Sequence, residues 1–87
     1  MTSLGTVVQS LHGRDRYRLF IITGITSDGR VLIADGKLHK REAPKKKNLC
    51  HLKISEAGAG RSREYLLSLD DEALFKALQD FEANKNL

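Results

Sequence analysis

The run Leu19, Phe20, Ile21, Ile22, Thr23, Gly24 and Ile25 constrains this chain more than any other stretch. It lies at the heart of a predicted strand over residues 17–25. Successive side chains of an extended chain alternate between two faces. Leu19, Ile21 and Ile25 then share one face, and Phe20 and Ile22 share the other. Both faces are apolar, so both must be covered, and the strand belongs in the middle of a sheet. Gly24, near its end, marks a candidate β-bulge.

The flanking residues build outward from this strand. Residues 5–11 are β-branched with no helical period and predict a first strand. His12 and Gly13 begin a turn that holds Arg14, Asp15 and Arg16. On the other side, Asp28-Gly29 separates the central strand from Val31, Leu32, Ile33 and Ala34. Asp-Gly between two apolar runs is a hairpin signal, because a type I′ turn needs positive φ at both central residues. Asp35-Gly36 repeats the signal and predicts a short fourth strand over residues 37–41, with Leu38 inward. Pro44 interrupts ladder pairing, so residues 42–48 read as a loop or an edge. Residues 49–54 predict a fifth strand, with Cys50, Leu52 and Ile54 on one side and His51 and Lys53 on the other. Five short strands joined by tight turns within about fifty residues indicate a mainly β fold, a small β-barrel.

The C-terminal third differs. Residues 55–64 are small and polar, and a linker is expected over 55–67. Beyond it, Leu74, Ala77, Leu78 and Phe81 recur at helical spacing, which predicts one C-terminal helix over about 69–84 within the segment 68–87. Ser68 is the expected N-cap, and Asp70, Asp71 and Glu72 suit the positive end of the helix dipole. A helix of this length does not hold alone in water. It is expected to dock on the barrel of residues 1–54 through its apolar face. The alternative is an exposed face that meets a partner.

Charge follows the same division. Residues 1–54 carry eleven Lys/Arg and four Asp/Glu, whereas residues 55–87 carry four and seven. Binding to a negative partner therefore belongs to the front of the chain. The densest block is residues 35–53, with Lys37, Lys40, Arg41, Lys45, Lys46, Lys47 and Lys53. Such a block cannot be a core, because burying unpaired charge costs too much. It is either a solvated surface or a nucleic-acid contact.

Several function classes have little support. No apolar run approaches the length of a transmembrane helix, and the N-terminus lacks the pattern of a secretory signal. Cys50 is the only cysteine, so no intramolecular disulfide can form, which fits a reducing cytoplasm. His12, His39, His51 and Cys50 lack the spacing of zinc ligands, and no metal or other cofactor is expected. Cys50 next to His51 on a strand would face the opposite way, so Cys50 is expected to be a small buried hydrophobe, not a nucleophile. No acid–base pair stands out, and an enzyme is not expected.

Gly5, Val7, Val8, Ser10, Gly13-Arg14-Asp15 and Phe20-Ile21-Ile22 resemble a KOW motif. Asp35-Gly36, Lys40-Arg41, Pro44-Lys45, Lys47-Asn48 and His51-Leu52 resemble the corresponding segment of large-subunit ribosomal proteins of the fourteen-e type and their small bacterial KOW-domain relatives. The resemblance covers about residues 4–54. It departs at Tyr17, where the KOW pattern has glycine, so Tyr17 either widens the turn or sets an aromatic ring at its tip. The resemblance implies an SH3-like barrel that binds structured RNA, often ribosomal RNA, without catalysis. That implies a ribosome-associated role in translation.

Candidate contacts follow. Arg14, Arg16 and Arg18 alternate and would share one face of an extended segment; Lys37, Lys40, Arg41, Lys45, Lys46 and Lys47 flank the later turn. Brought together by the barrel, these cations would form one surface for phosphates. Three adjacent lysines cannot all face one way, so only one or two of Lys45, Lys46 and Lys47 are expected to touch phosphate, and removing all three is expected to spare the fold. Tyr17 either packs or stacks on a base. His51 bonds a backbone group or Asp35, or contacts a base. Asn48 is a turn residue or an RNA contact. The rival function is a protein-interaction module. It would meet a ribosomal or transcription protein, or a second copy, through Leu74, Leu78 and Phe81 or through the turn at Tyr17.

Overall fold

The computed structural model describes residues 3–56 and 62–85. Its core element is one antiparallel sheet of five strands. They are β1 (Val7–Ser10), β2 (Leu19–Ile25), β3 (Val31–Ala34), β4 (Lys45–Lys47) and β5 (Leu52–Ile54), in the order β4-β3-β2-β1-β5. β2 is the central strand, as its two apolar faces demand. Leu19 and Ile21 pack with Val7 and Ala34 on one face; Phe20 and Ile22 pack with Val8, Val31 and Ile33 on the other. The β2–β3 register slips between Ile22 and Gly24, which is the bulge expected at Gly24. Beyond the bulge Ile25 is exposed and does not join the Leu19 face.

The fourth strand is not where the second Asp-Gly pair suggested. Residues 37–41 form no strand. The carboxylate of Asp35 accepts hydrogen bonds from the backbone N–H groups of Lys37 and His39, both at 3.0 Å, and the Asp35 N–H donates to the His39 carbonyl at 2.9 Å. Those bonds hold residues 35–39 in a compact loop and consume the donors a ladder would need. Among the described residues, the other oxygen of Asp35 is the one buried side-chain polar atom without a hydrogen-bond partner. Pairing resumes after Pro44, where Lys45, Lys46 and Lys47 oppose Ile33, Leu32 and Val31. The loop-or-edge segment thus contains an edge strand. Pro44 lies just outside it, where its missing N–H removes no ladder bond. Charged side chains on an edge also discourage pairing with another chain.

Residues 49–54 divide as well. Leu49–His51 is a 3-10 turn, and only Leu52–Ile54 pairs with β1. The turn leaves Cys50 exposed, contrary to the buried hydrophobe expected for a strand residue.

Two helices cover the Leu19 face: α1 (Arg63–Ser68) and α2 (Asp71–Lys85). Leu66 of α1 and Leu74, Leu78 and Phe81 of α2 are buried against Val7, Leu19, Ile21 and Ala34. Burying each such side chain stabilises the fold by about 1.5–3 kcal/mol. Docking on the sheet is therefore the use of the apolar helix face. α1 occupies the end of the expected linker. Its start is capped by Ser62, whose hydroxyl accepts the Tyr65 N–H at 3.0 Å. The cap of α2 is Asp70, which accepts the Ala73 N–H at 2.8 Å, and not Ser68. The Ser68 hydroxyl donates instead to the Tyr65 carbonyl within α1. Gly36, at φ 84°, lets the 35–39 loop lie on the start of α2; a Cβ there would stand 2.1 Å from the Asp71 carbonyl oxygen. No helix among the described residues is long and apolar enough to cross a membrane.

Candidate nucleic-acid interface

The basic end of the molecule is organised by an acid. The β1–β2 connection makes two close turns: Arg16 N–H donates to the Gly13 carbonyl at 3.2 Å, and Arg18 N–H donates to the Asp15 carbonyl at 3.1 Å. This folds Asp15 inward, where it is 4% exposed. One carboxylate oxygen accepts the Ser10 hydroxyl at 3.0 Å and faces the Lys47 ammonium at 3.4 Å. The other faces the Lys45 ammonium at 3.4 Å and His39 Nε2 at 3.9 Å. Lys47 also donates to the His12 carbonyl at 3.1 Å. Burial opposes ionisation of Asp15, but the Ser10 hydroxyl and the charges of Lys47 and Lys45 outweigh it and hold the carboxyl below the ordinary aspartate value. Residues 12–18 thus meet His39 and residues 45–47, more than twenty residues further on, at one carboxylate.

The meeting uses some of the cations it gathers. Lys47 is 8% exposed, so its role is structural, and Lys45 is half-buried beside the same acid. Strand alternation puts Lys46 on the opposite face, where it is exposed. The three lysines do divide as their adjacency requires. Because Lys47 fills a buried position against Asp15, removing all three is expected to destabilise the fold and not to spare it.

Arg14 and Arg16 are exposed on the first loop. Arg18 does not share their face, because the chain between them turns and is not extended. It lines a crevice with Leu19, Asp35, Phe75, Leu78 and Gln79 between the sheet and α2. Arg41 is a strap: its backbone N–H donates to the Asp71 carboxylate at 2.9 Å and its guanidinium donates to the Leu69 carbonyl. Lys40 is exposed beside it. The Lys37 ammonium lies 5.1 Å from the centre of the Phe75 ring, a cation–π contact to α2.

The remaining candidates divide between local and exposed roles. Asn48 begins the 3-10 turn, its carbonyl accepting the His51 N–H at 3.0 Å, which is the turn role. The His51 ring lies 4.3 Å from that of His12, tilted by 37°, and Asp35 is occupied with its own loop. Tyr17 is 64% exposed at φ 72°, with the Arg16 guanidinium 5.7 Å from its ring centre. It does not pack in the core; it sets an aromatic ring at the loop tip.

Asp15 was the residue most easily overlooked. Its sequence signal is that it stands alone between Arg14 and Arg16 in the most basic half of the chain. His12 and His39 join the same site, through a backbone carbonyl that accepts from Lys47 and a ring nitrogen facing Asp15. No group of three or more His, Cys, Asp or Glu among the described residues is arranged to hold a metal ion. What the residues define is a small, mainly β domain with helices on one face of its sheet and a cationic end built around one buried carboxylate. No protein-family model matches the chain, and a search of the curated proteins finds no match.

Proposed function

We propose that this protein is a non-catalytic RNA-binding domain of the KOW type, its open five-stranded sheet being a variant of the SH3-like barrel. Its partner is structured RNA, ribosomal or ribosome-associated, in the cytoplasm. The observation that carries the reading is the Asp15 junction, which draws residues 12–18, His39 and residues 45–47 together at one carboxylate. Arg14, Arg16, Lys40 and Lys46 remain exposed for phosphate. Arginine can fork across two phosphate oxygens, while lysine supplies a point charge. Such contacts position a protein on A-form RNA without reading its sequence.

The test is a salt series with a structured RNA. About four phosphate contacts give a slope of log K against log salt of roughly −3 to −3.5. A flat response overturns the reading. Replacing Arg14, Arg16 and Lys46 together with alanine is expected to weaken binding and make the slope shallower by about 2.5. The Asp15 junction stays intact in that variant, so its unfolding midpoint is unchanged. Co-sedimentation with the large ribosomal subunit, lost at high salt, is the expected behaviour in a lysate.

The protein-interaction alternative loses one of its two surfaces, because Leu74, Leu78 and Phe81 are buried against the sheet.

A further inference from the structure

Tyr17 combines features that a phosphate-binding loop does not require. Its φ of 72° makes it the only non-glycine residue at positive φ among the described residues. Bulky side chains avoid this region because Cβ approaches the backbone. The conformation is held from several sides. Tyr17 N–H donates to the Ser10 carbonyl at 2.6 Å, the Gln9 side-chain amide donates to the Tyr17 carbonyl at 3.2 Å, and Ser10 N–H donates to the Arg18 carbonyl at 3.0 Å. Packing does not explain the residue, since the ring is 64% exposed. The chain holds a large apolar ring outward at a position where glycine would relieve the backbone. Strain that the surroundings over-determine is found where a side chain must be presented.

The surroundings of the ring indicate what it meets. Arg14 and Arg16 are exposed on the same loop, and the Arg16 guanidinium lies 5.7 Å from the ring centre. Cations draw in a phosphate backbone; an aromatic face adds stacking affinity for a ligand that has a π-face of its own. A regular RNA duplex hides its base faces in the stack, so the ring has nothing to stack on there. An unpaired, extruded base offers a face. We infer that Tyr17 is a base-stacking residue that selects structured RNA carrying an unpaired nucleotide next to a duplex. The inference rests on the RNA-binding reading and narrows it to a class of RNA.

Two blunt-ended RNA duplexes, neither with a loop, distinguish the two claims. They are identical except that one carries a single bulged 2-aminopurine, whose fluorescence falls on stacking. The intact protein is expected to bind the bulged duplex about ten-fold more tightly and to quench the probe. Tyr17→Phe is expected to keep both effects. Tyr17→Gly and Tyr17→Asn both tolerate positive φ, so both are expected to fold, with melting temperatures within several degrees of the parent. Both are expected to lose the preference and the quenching, while their affinity for the uninterrupted duplex stays unchanged. Equal binding of the two RNAs by the intact protein overturns the stacking role alone, as does a preference that survives in both Tyr17→Gly and Tyr17→Asn. Binding to neither RNA overturns the RNA-binding reading, and the stacking role with it.

Discussion

The two turns on either side of β2 look alike in sequence and differ in what holds them. Each carries an aspartate, and each has a residue at positive φ just beyond it: Tyr17 after Asp15, at 72°, and Gly29 after Asp28, at 85°. The second turn closes on itself. Asp28 takes the Thr26 hydroxyl and, at 2.9 Å, the Arg30 guanidinium, while Thr26 N–H donates to the Arg30 carbonyl at 2.8 Å. Only Gly29 of its Asp-Gly pair is at positive φ, so the turn is not the type I′ form the pair suggested. Every partner lies within residues 26–30, and Asp28 is exposed. The first turn closes on the rest of the protein. Asp15 is buried, and its cations come from β4, about thirty residues away. A turn with local partners merely reverses the chain. A turn that buries a carboxylate under distant lysines fixes where a surface forms.

Replacing the two acids should separate these roles most sharply. Asp15→Asn leaves Lys47 buried without its counter-charge. Breaking a buried pair in this way costs about 3 kcal/mol. Asp28→Asn is expected to leave the urea midpoint unchanged, because its partners are solvated. Equal effects of the two substitutions would mean that Asp15 is not the joint between the first loop and β4.

Acid should reproduce the first effect reversibly. The folded-state pKa of Asp15 lies below its ordinary value of 3.8, so the unfolded chain binds a proton first as pH falls. The contribution of Asp15 to stability is complete above about pH 5 and is lost as pH falls through 4 and then through the depressed folded value. Unfolding midpoints measured from pH 6 to pH 2 should therefore fall less steeply in Asp15→Asn than in the parent. The same slope in both proteins would remove Asp15 as a source of acid lability.

This contrast also explains how much of the molecule was legible in its sequence. The central strand, the Gly24 bulge and the docking face of Leu74, Leu78 and Phe81 are periodic or local features, and they fell where expected. The missing strand at 37–41 failed for a local reason of a different kind. Asp35 spends its carboxylate on the amides of Lys37 and His39, a choice that the pair Asp35-Gly36 does not announce. α1 was hidden because its cap, Ser62, sits in a run of small residues that reads as a linker. The basic end was visible as composition. Its division was not: whether Lys45, Lys46 or Lys47 remains free depends on a strand register and on Asp15, which approaches only in the folded chain.

The positive-φ residues offer a smaller test, unequal at the two turns. Gly29 has open space where a Cβ would go, so Gly29→Ala carries only the backbone penalty of a left-handed residue, about 1 kcal/mol. Tyr17→Gly removes that penalty and adds chain entropy to the unfolded state, so its net change is expected within about 1 kcal/mol of zero. Thermal unfolding of the two variants checks this. A large loss in Tyr17→Gly would show that the ring packs in the folded protein, and the contrast between a turn that closes a hairpin and one that presents a side chain would fail.

The smallest effect lies in the titration of Asp28. The Thr26 hydroxyl and the Arg30 guanidinium hold its carboxyl down to about 2. The direction matches that at Asp15, but water surrounds this group, and solvent and salt screen the pair. The shift should therefore appear in the titration and barely in the stability. Side-chain carboxyl resonances followed by NMR are expected to give a midpoint for Asp28 near 2. Thr26→Val and Arg30→Ala should each raise it, because the hydroxyl and the guanidinium both favour the charged carboxylate. Neither substitution should move the resonance of Asp15, since no partner of the second turn reaches the first. A coupled movement of both resonances would show that the two turns are not independent, and Asp28 would then belong to the same charged network as the basic end.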